Sequence, residues 1–304
     1  MARHLRFLMQ NVVRVNRQLS LCNTNRPMVA PINRYCSSDA DKNSDLVLTE
    51  KKDNILLIGI NRPEVRNCVN KETARLLKNA FRAFDKDHGA KVAILYGKGP
   101  SFCAGLDLKE LSQYKDLKLP FGPMGPTVLE PKKPVIAAIN GYAVAGGLEL
   151  AILCDLRVAE KSAVMGMFCR RFGVPLIDGG SIRLPKLIGI SRALDMILTG
   201  RPVGAEEALQ FGLVNRIVPD GQGLEKSIEL AKEIASFPEM CMLADRRSAI
   251  YNTYTRNSFD DSLEYETENA KDVLSEESIK GATRFTKGQG KHGSFDNLDK
   301  DKGT

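Results

Sequence analysis

Seven cysteines stand at positions 22, 36, 68, 103, 154, 169 and 241, and no two form a CxxC pair or keep metal-site spacing. That absence argues against a zinc or disulfide framework and fits buried thiols in a reducing compartment. Histidine is scarce: His4, His88 and His292 are scattered and none sits beside a candidate nucleophile. Ser-His-Asp and Cys-His mechanisms therefore have little to rest on. An unbroken apolar run of membrane-spanning length is also missing. Residues 134–154 carry one charge, Glu149, but Pro134, Asn140 and three glycines interrupt them, which argues against a transmembrane helix.

Acid is missing from residues 1–36, which hold Arg3, Arg6, Arg14, Arg17, Arg26 and Arg34 among spaced apolar residues. A secretory signal needs a continuous apolar centre, so the pattern fits an organelle transit peptide, with Arg34-Tyr35-Cys36-Ser37 as a matrix processing site. The expected location is the mitochondrial matrix. The formal charge of +7 is local to this segment: six of the 44 basic side chains lie in it, leaving 38 against 37 acidic ones. The near-neutral remainder gives no argument for nucleic acid.

The 304 residues suffice for one large domain or two modest ones. After a polar linker (37–44), apolar runs at 46–50 and 55–60 flank Lys51-Lys52-Asp53-Asn54, a hairpin signal. Asn70 is placed to cap a helix to about Asp87, with Ala74, Leu76, Leu77, Ala80, Phe81 and Phe84 at helical spacing. Val92–Tyr96 reads as a buried strand. Gly97 to Leu108 is a loop entering a helix that carries Lys109 and Glu110. Residues 115–130, with their prolines and glycines, read as a loop near a site. Further strands are expected at 156–159, 163–167 and 214–218, and helices at 181–188, 191–199, 204–211, 223–236 and beyond 239. Strand-then-helix units without a sequence repeat imply an α/β architecture.

The densest signal lies at 134–155. Val135–Ile139 reads as a buried strand, Asn140-Gly141 breaks it, and Gly146-Gly147 opens a helical apolar run, Leu148–Cys154. A strand feeding a glycine turn into a helix leaves N–H groups that suit an anion, or an oxygen becoming one. Glu149, three residues into that helix, is either a cap or a catalytic carboxyl.

Asn61-Arg62-Pro63 with Asn67, Phe102 to Leu108, Lys133 to Ala138, Asn140-Gly141 through Gly146-Gly147-Leu148-Glu149-Leu150, Cys154-Asp155, Gly179-Gly180 and Leu198-Thr199-Gly200 together resemble the crotonase family, over roughly residues 45–220. The resemblance implies a crotonase-like spiral of ββα units (core 45–236), a helical C-terminal layer (237–287) before a flexible tail (288–304), and a homotrimer or hexamer. It implies an enoyl-CoA hydratase-like enzyme stabilising a thioester enolate on an acyl-CoA. No metal or redox cofactor is implied; coenzyme A comes with the substrate. The oxyanion donors would be Leu106 N–H and Gly146 N–H, and the catalytic acid/base Glu149. Ala104, Asp107 and Lys109 would bind substrate along the coenzyme A passage. The second family glutamate falls at Cys169, a departure that leaves this thiol either a proton carrier or a buried small residue. Asp178 is the substitute carboxylate, or else it caps the following helix or pairs with Arg170, Arg171 or Arg183. Isomerisation, decarboxylation and thioester hydrolysis stay open, as does a non-catalytic acyl-CoA- or RNA-binding role.

Overall fold

The computed structural model describes residues 44–113, 122–255 and 258–289. The expected transit segment, nearly all of the linker, the first part of the 115–130 loop and nearly all of the tail lie outside those residues. The described strands are β1 (Val47–Lys52), β2 (Ile55–Ile60), β3 (Val92–Gly97), β4 (Val135–Ile139), β5 (Tyr142–Val144), β6 (Leu156–Glu160), β7 (Val164–Gly166), β8 (Val203–Gly204) and β9 (Arg216–Val218). The helices are α1 (Lys71–Lys86), α2 (Leu108–Leu111), α3 (Gly146–Leu153), α4 (Gly180–Ile188), α5 (Ile190–Thr199), α6 (Ala205–Phe211), α7 (Gly223–Ser236), α8 (Glu239–Tyr254), α9 (Phe259–Val273) and α10 (Ile279–Thr286).

A six-stranded sheet runs β1-β2-β3-β4-β6-β9, antiparallel only at the β1–β2 hairpin. Its turn is two residues, Asp53-Asn54, because Lys51 and Lys52 still pair with Leu56 and Ile55. Leu57, Ile94 and Ile136 are direct partners across β2, β3 and β4. The central strands are buried on both faces, as parallel strands usually are. Val92, Ile94, Ile136, Ala138 and Val158 face α7, where Leu230, Ala231 and Ala235 close one core. Ala93, Leu95, Val135, Ala137 and Ile139 feed the larger core, which holds Leu77, Phe81 and Phe84 of α1. Each fully buried Val, Leu, Ile or Phe among them removes apolar area worth about 1.5–3 kcal/mol. Helix α1 starts where its cap places it: Asn70 Oδ1 accepts from Thr73 N at 2.9 Å.

A second sheet of three short strands, β5-β7-β8, lies beside the first. Strands β4, β5 and helix α3 form one ββα unit; β6, β7 and α4 form another. A third begins with β3, whose following segment pairs with β5 through a Cys103–Ala143 bridge before entering α2. Together they give the ββα spiral, and α8, α9 and α10 form the C-terminal helical layer. No described helix is long and apolar enough to cross a membrane. The five described cysteines are free thiols, three of them buried.

Candidate active site

Two loops leave the small sheet side by side. Cys103 N donates to Tyr142 O (2.9 Å) and Val144 N to Cys103 O (3.1 Å), so residues 103 and 143 are in register. Leu106 and Gly146 each stand three residues further on. Val69 N donates to Gly105 O (2.8 Å) and Asp107 N to Val69 O (2.9 Å), bonds made by the residues either side of Leu106. By the alternation of an extended chain, Leu106 N–H points the opposite way. Gly146 N–H is the first of α3 and belongs to the helix-start donors that lack an intrahelical acceptor. Ala145, just before it, holds φ 52° and ψ −127°, a conformation that costs a non-glycine residue about 1–3 kcal/mol. The two loops touch: a β-carbon on Gly105 would lie 3.0 Å from Gly146 N, and one on Gly147 would strike the Cys103 carbonyl.

Asn67 fixes the first loop from behind. It is fully buried with φ 57°, its Oδ1 accepts from Arg62 N (2.8 Å), and its Nδ2 donates to Lys98 O (3.0 Å) and Ser101 O (2.6 Å).

Leu106 and Gly146 line a cavity of about 410 Å³ together with Ala104, Met124, Glu149, Cys169 and Asp178. Glu149 is buried, and its Oε1 accepts from Gly180 N (2.8 Å) and Asp178 N (3.1 Å). Burial pushes its carboxyl up to about 7; those two N–H donors work against the rise and the Asp178 charge adds to it. The Cys169 thiol is raised by burial first and by the neighbouring Glu149 charge second.

Asp178 reaches the cavity wall with its carboxyl already engaged. Its Oδ1 accepts from Met124 N (3.1 Å) and from the Thr127 hydroxyl. It neither caps α4, whose N-cap is Gly179, nor pairs through its carboxyl with an arginine; Arg183 Nη1 donates instead to its backbone oxygen (3.1 Å). Burial raises the Asp178 carboxyl, opposed by those two donors and by Arg183. Asp107 turns away from the cavity: Oδ2 binds Arg62 Nη2 (2.9 Å) and Oδ1 caps α2 at Lys109 N (3.2 Å) and Glu110 N (3.3 Å). Lys109 also stands outside the cavity lining, so of the three expected substrate contacts only Ala104 lines it. Arg170 and Arg171 donate to the carbonyls of Ile197 (3.3 Å) and Gly200 (2.7 Å), with Arg171 stacked on Phe168. Met124 and Thr127 carry no chemical motif, and their place at the site follows only from a partner some fifty residues away.

The enoyl-CoA hydratase/isomerase family profile matches residues 50–292. The chain belongs to that family. An enoyl-CoA hydratase of Mycobacterium tuberculosis is 36% identical over 214 residues, covering 66% of this chain and 79% of the relative. A short-chain-enoyl-CoA hydratase of Clostridium acetobutylicum is 31% identical over 242 residues, covering 78% and 92%. A crystal structure of an enoyl-CoA hydratase from Mycobacterium tuberculosis H37Rv superposes with a TM-score of 0.75 at 36% identity, covering 80% of this chain and 96% of that one. This family's fold thus holds the Leu106, Gly146 and Glu149 arrangement described above.

Proposed function

We propose that this chain is a lyase that hydrates a 2-enoyl-CoA, and dehydrates the 3-hydroxyacyl-CoA, through a thioester enolate. The observation that carries the reading is that Leu106 and Gly146, whose N–H groups are free of the backbone pairing around them, line one cavity with Glu149. In hydration the Glu149 carboxylate takes a proton from water as its oxygen bonds to C3. The C2–C3 π electrons move onto the thioester oxygen, where the two N–H groups hold the charge. Each such donor is worth about 3–4 kcal/mol in a dry site. Glu149 then returns the proton to C2. One carboxyl that is base first and acid second works best with a pKa near neutrality, and burial gives Glu149 that value.

Crotonyl-CoA hydration by wild type, Glu149→Gln and Asp178→Asn tests this. Glu149→Gln is expected to lose about 100-fold or more. Full activity in that variant overturns the mechanism. Cys169 and the anchored Asp178 favour one second reading. An enolate reaction that needs no water held by a second carboxyl, such as decarboxylation of a carboxyacyl-CoA, fits the same site.

The finer assignments rest on sequence and surface. Six arginines and no acid in residues 1–36 support import into the mitochondrial matrix. Apolar side chains exposed on α5 (Ile190, Leu194, Leu198) and on α9 and α10 (Phe259, Leu263, Ile279) support a homotrimer or hexamer. Sedimentation of the purified chain checks the assembly. Coenzyme A enters as part of the substrate.

A further inference from the structure

Met124 reaches the catalytic cavity from residues 122–129, a turn with few ties to the rest of the chain. Its backbone bonds, Gly125 N to Gly122 O (2.9 Å) and Leu129 N to Pro126 O (2.8 Å), stay inside the turn. Among the described residues, every hydrogen bond from 122–129 to another part of the chain ends on Asp178 or Arg183. Met124 N (3.1 Å) and the Thr127 hydroxyl donate to Asp178 Oδ1, and Thr127 O accepts from Arg183 Nη2 (2.9 Å). What the turn carries is a roof over one oxyanion donor: Met124 is buried, and a β-carbon on Gly146 would lie 2.6 Å from its sulfur.

The other side of the same joint holds Glu149. Asp178 N–H donates to Glu149 Oε1 at 3.1 Å, and Arg183 Nη1 donates to Asp178 O at 3.1 Å. Two glycines let these groups meet: a β-carbon on Gly179 would strike Arg183 Nη1, and one on Gly180 would strike the Glu149 carboxylate. Arg183 thus bridges two carbonyls, one in the roof turn and one in the segment that holds the base, using the planar fork that lysine lacks. Burial lifts the Glu149 and Asp178 carboxyls, and the Arg183 charge opposes the rise in each. The titratable and charged groups facing Glu149 are Asp178, Arg183 and the Cys169 thiol.

We propose that Thr127 and Arg183 are positioning residues for the enolate reaction: acting through Asp178, they set Met124 over the Gly146 donor and Glu149 beside it, so that one clamp aligns the oxyanion site with the acid/base. The inference rests on the hydration reading above.

Thr127→Val keeps the shape of the side chain and removes the hydroxyl, whereas Thr127→Ser keeps the hydroxyl and removes the methyl. The valine variant is expected to lose about tenfold or more in crotonyl-CoA kcat with KM within about twofold, and the serine variant to stay within about threefold of wild type. A side chain that only filled space would give the opposite order. Arg183→Lys keeps the charge without the fork, and Arg183→Met removes both. Carbon NMR of carboxyl-labelled glutamate, with the Glu149 signal assigned from Glu149→Gln, follows the base without turnover. Its midpoint is expected to stay at the wild-type value in Arg183→Lys and to move to higher pH in Arg183→Met, with kcat down about tenfold in both. Melting curves taken alongside separate lost activity from lost fold. A valine variant as active as wild type, or a serine variant no better than valine, overturns the role of Thr127. An unmoved midpoint in Arg183→Met, or wild-type kcat in Arg183→Lys, overturns that of Arg183. A wild type that does not hydrate crotonyl-CoA overturns the hydration reading instead, and the titration still decides the clamp.

Discussion

Gly180 N–H donates to Glu149 Oε1 at 2.8 Å, and Asp178 N–H joins it on the same oxygen at 3.1 Å. With both donors on Oε1, Oε2 is the oxygen left to exchange a proton with substrate. The glycine at 180 is required by this approach: a β-carbon there would lie 2.8 Å from Oε1 and 3.0 Å from the Glu149 Cγ. The start of α4 thus does for the carboxylate what the loops at 106 and 146 do for the thioester oxygen, holding it by main-chain amides that cost nothing to reorganise during reaction.

The pH profile follows from Glu149. Its carboxyl sits at about 7, and it must be ionised to take a proton from water. The kcat/KM for hydration is expected to rise with pH through about 7 and then level. Dehydration begins with the same carboxylate removing the C2 proton, so its profile rises in the same direction. The slope disappears in Glu149→Gln. A kcat/KM profile measured from pH 5 to 9 checks this, and a bell that falls again above neutrality would show that a second group supplies the acid.

The same shift makes a stability statement. Glu149 has a folded pKa near 7 against 4.5 as a free side chain, so between those values the folded chain binds the extra proton. Stability therefore falls as pH rises from about 4.5 to 7, by up to about 3 kcal/mol for this group. Glutamine keeps an oxygen for the Gly180 and Asp178 N–H groups without the buried charge. Glu149→Gln is expected to melt higher than wild type at pH 8 by several degrees, with the gap closing below about pH 4.5. Thermal melts at both values check it; a variant less stable at pH 8 would mean the charge is compensated.

Gly180→Ala separates geometry from chemistry. The added methyl must displace the Glu149 carboxylate, while alanine at the first helical position suits α4. Turnover is expected to drop about 10- to 100-fold, the scale of a misplacement near 1 Å, with the melting temperature little changed. Crotonyl-CoA kinetics alongside a melting curve decide it. Wild-type turnover would show that the carboxylate tolerates the shift.

The parts of this site legible in the sequence were those with local causes. Asn70 and the 3.6-residue spacing of Leu77, Phe81 and Phe84 marked α1. The glycine pair at 146 and 147 marked a strand-to-helix turn, and resemblance assigned it the oxyanion role. The small sheet was harder. Its strand Tyr142–Val144 has three residues, too few for any alternation to register, and was not expected at all. The partners of Asp107 and Asp178 are hidden for a different reason. The sequence places Asp107 on the coenzyme A passage and leaves Asp178 open between a working carboxylate and a structural one; in the fold Asp178 lines the cavity, and each carboxylate is engaged by the protein, Asp107 through Arg62, 45 residues away, and Asp178 through Thr127, 51 residues away. Spacing along the chain holds no record of such partners.

Cys169 stands where the family resemblance places a second glutamate, and two opposite substitutions define its role. Burial and the Glu149 charge both raise its thiol, so at neutral pH it is protonated and a poor base. Cys169→Ala is therefore expected to keep hydration within about threefold, since a group in the proton path would cost about 100-fold or more. Cys169→Glu places a second carboxyl beside the first. Two such groups sharing a buried site cannot both ionise freely, so one apparent pKa moves up and the pair titrates in two steps. The expected result is a faster hydration that turns on at higher pH than in wild type, measured as crotonyl-CoA kcat/KM from pH 5 to 9. A hundredfold loss in Cys169→Ala would instead put the thiol in the proton path, and Glu149 could then no longer be the sole acid and base.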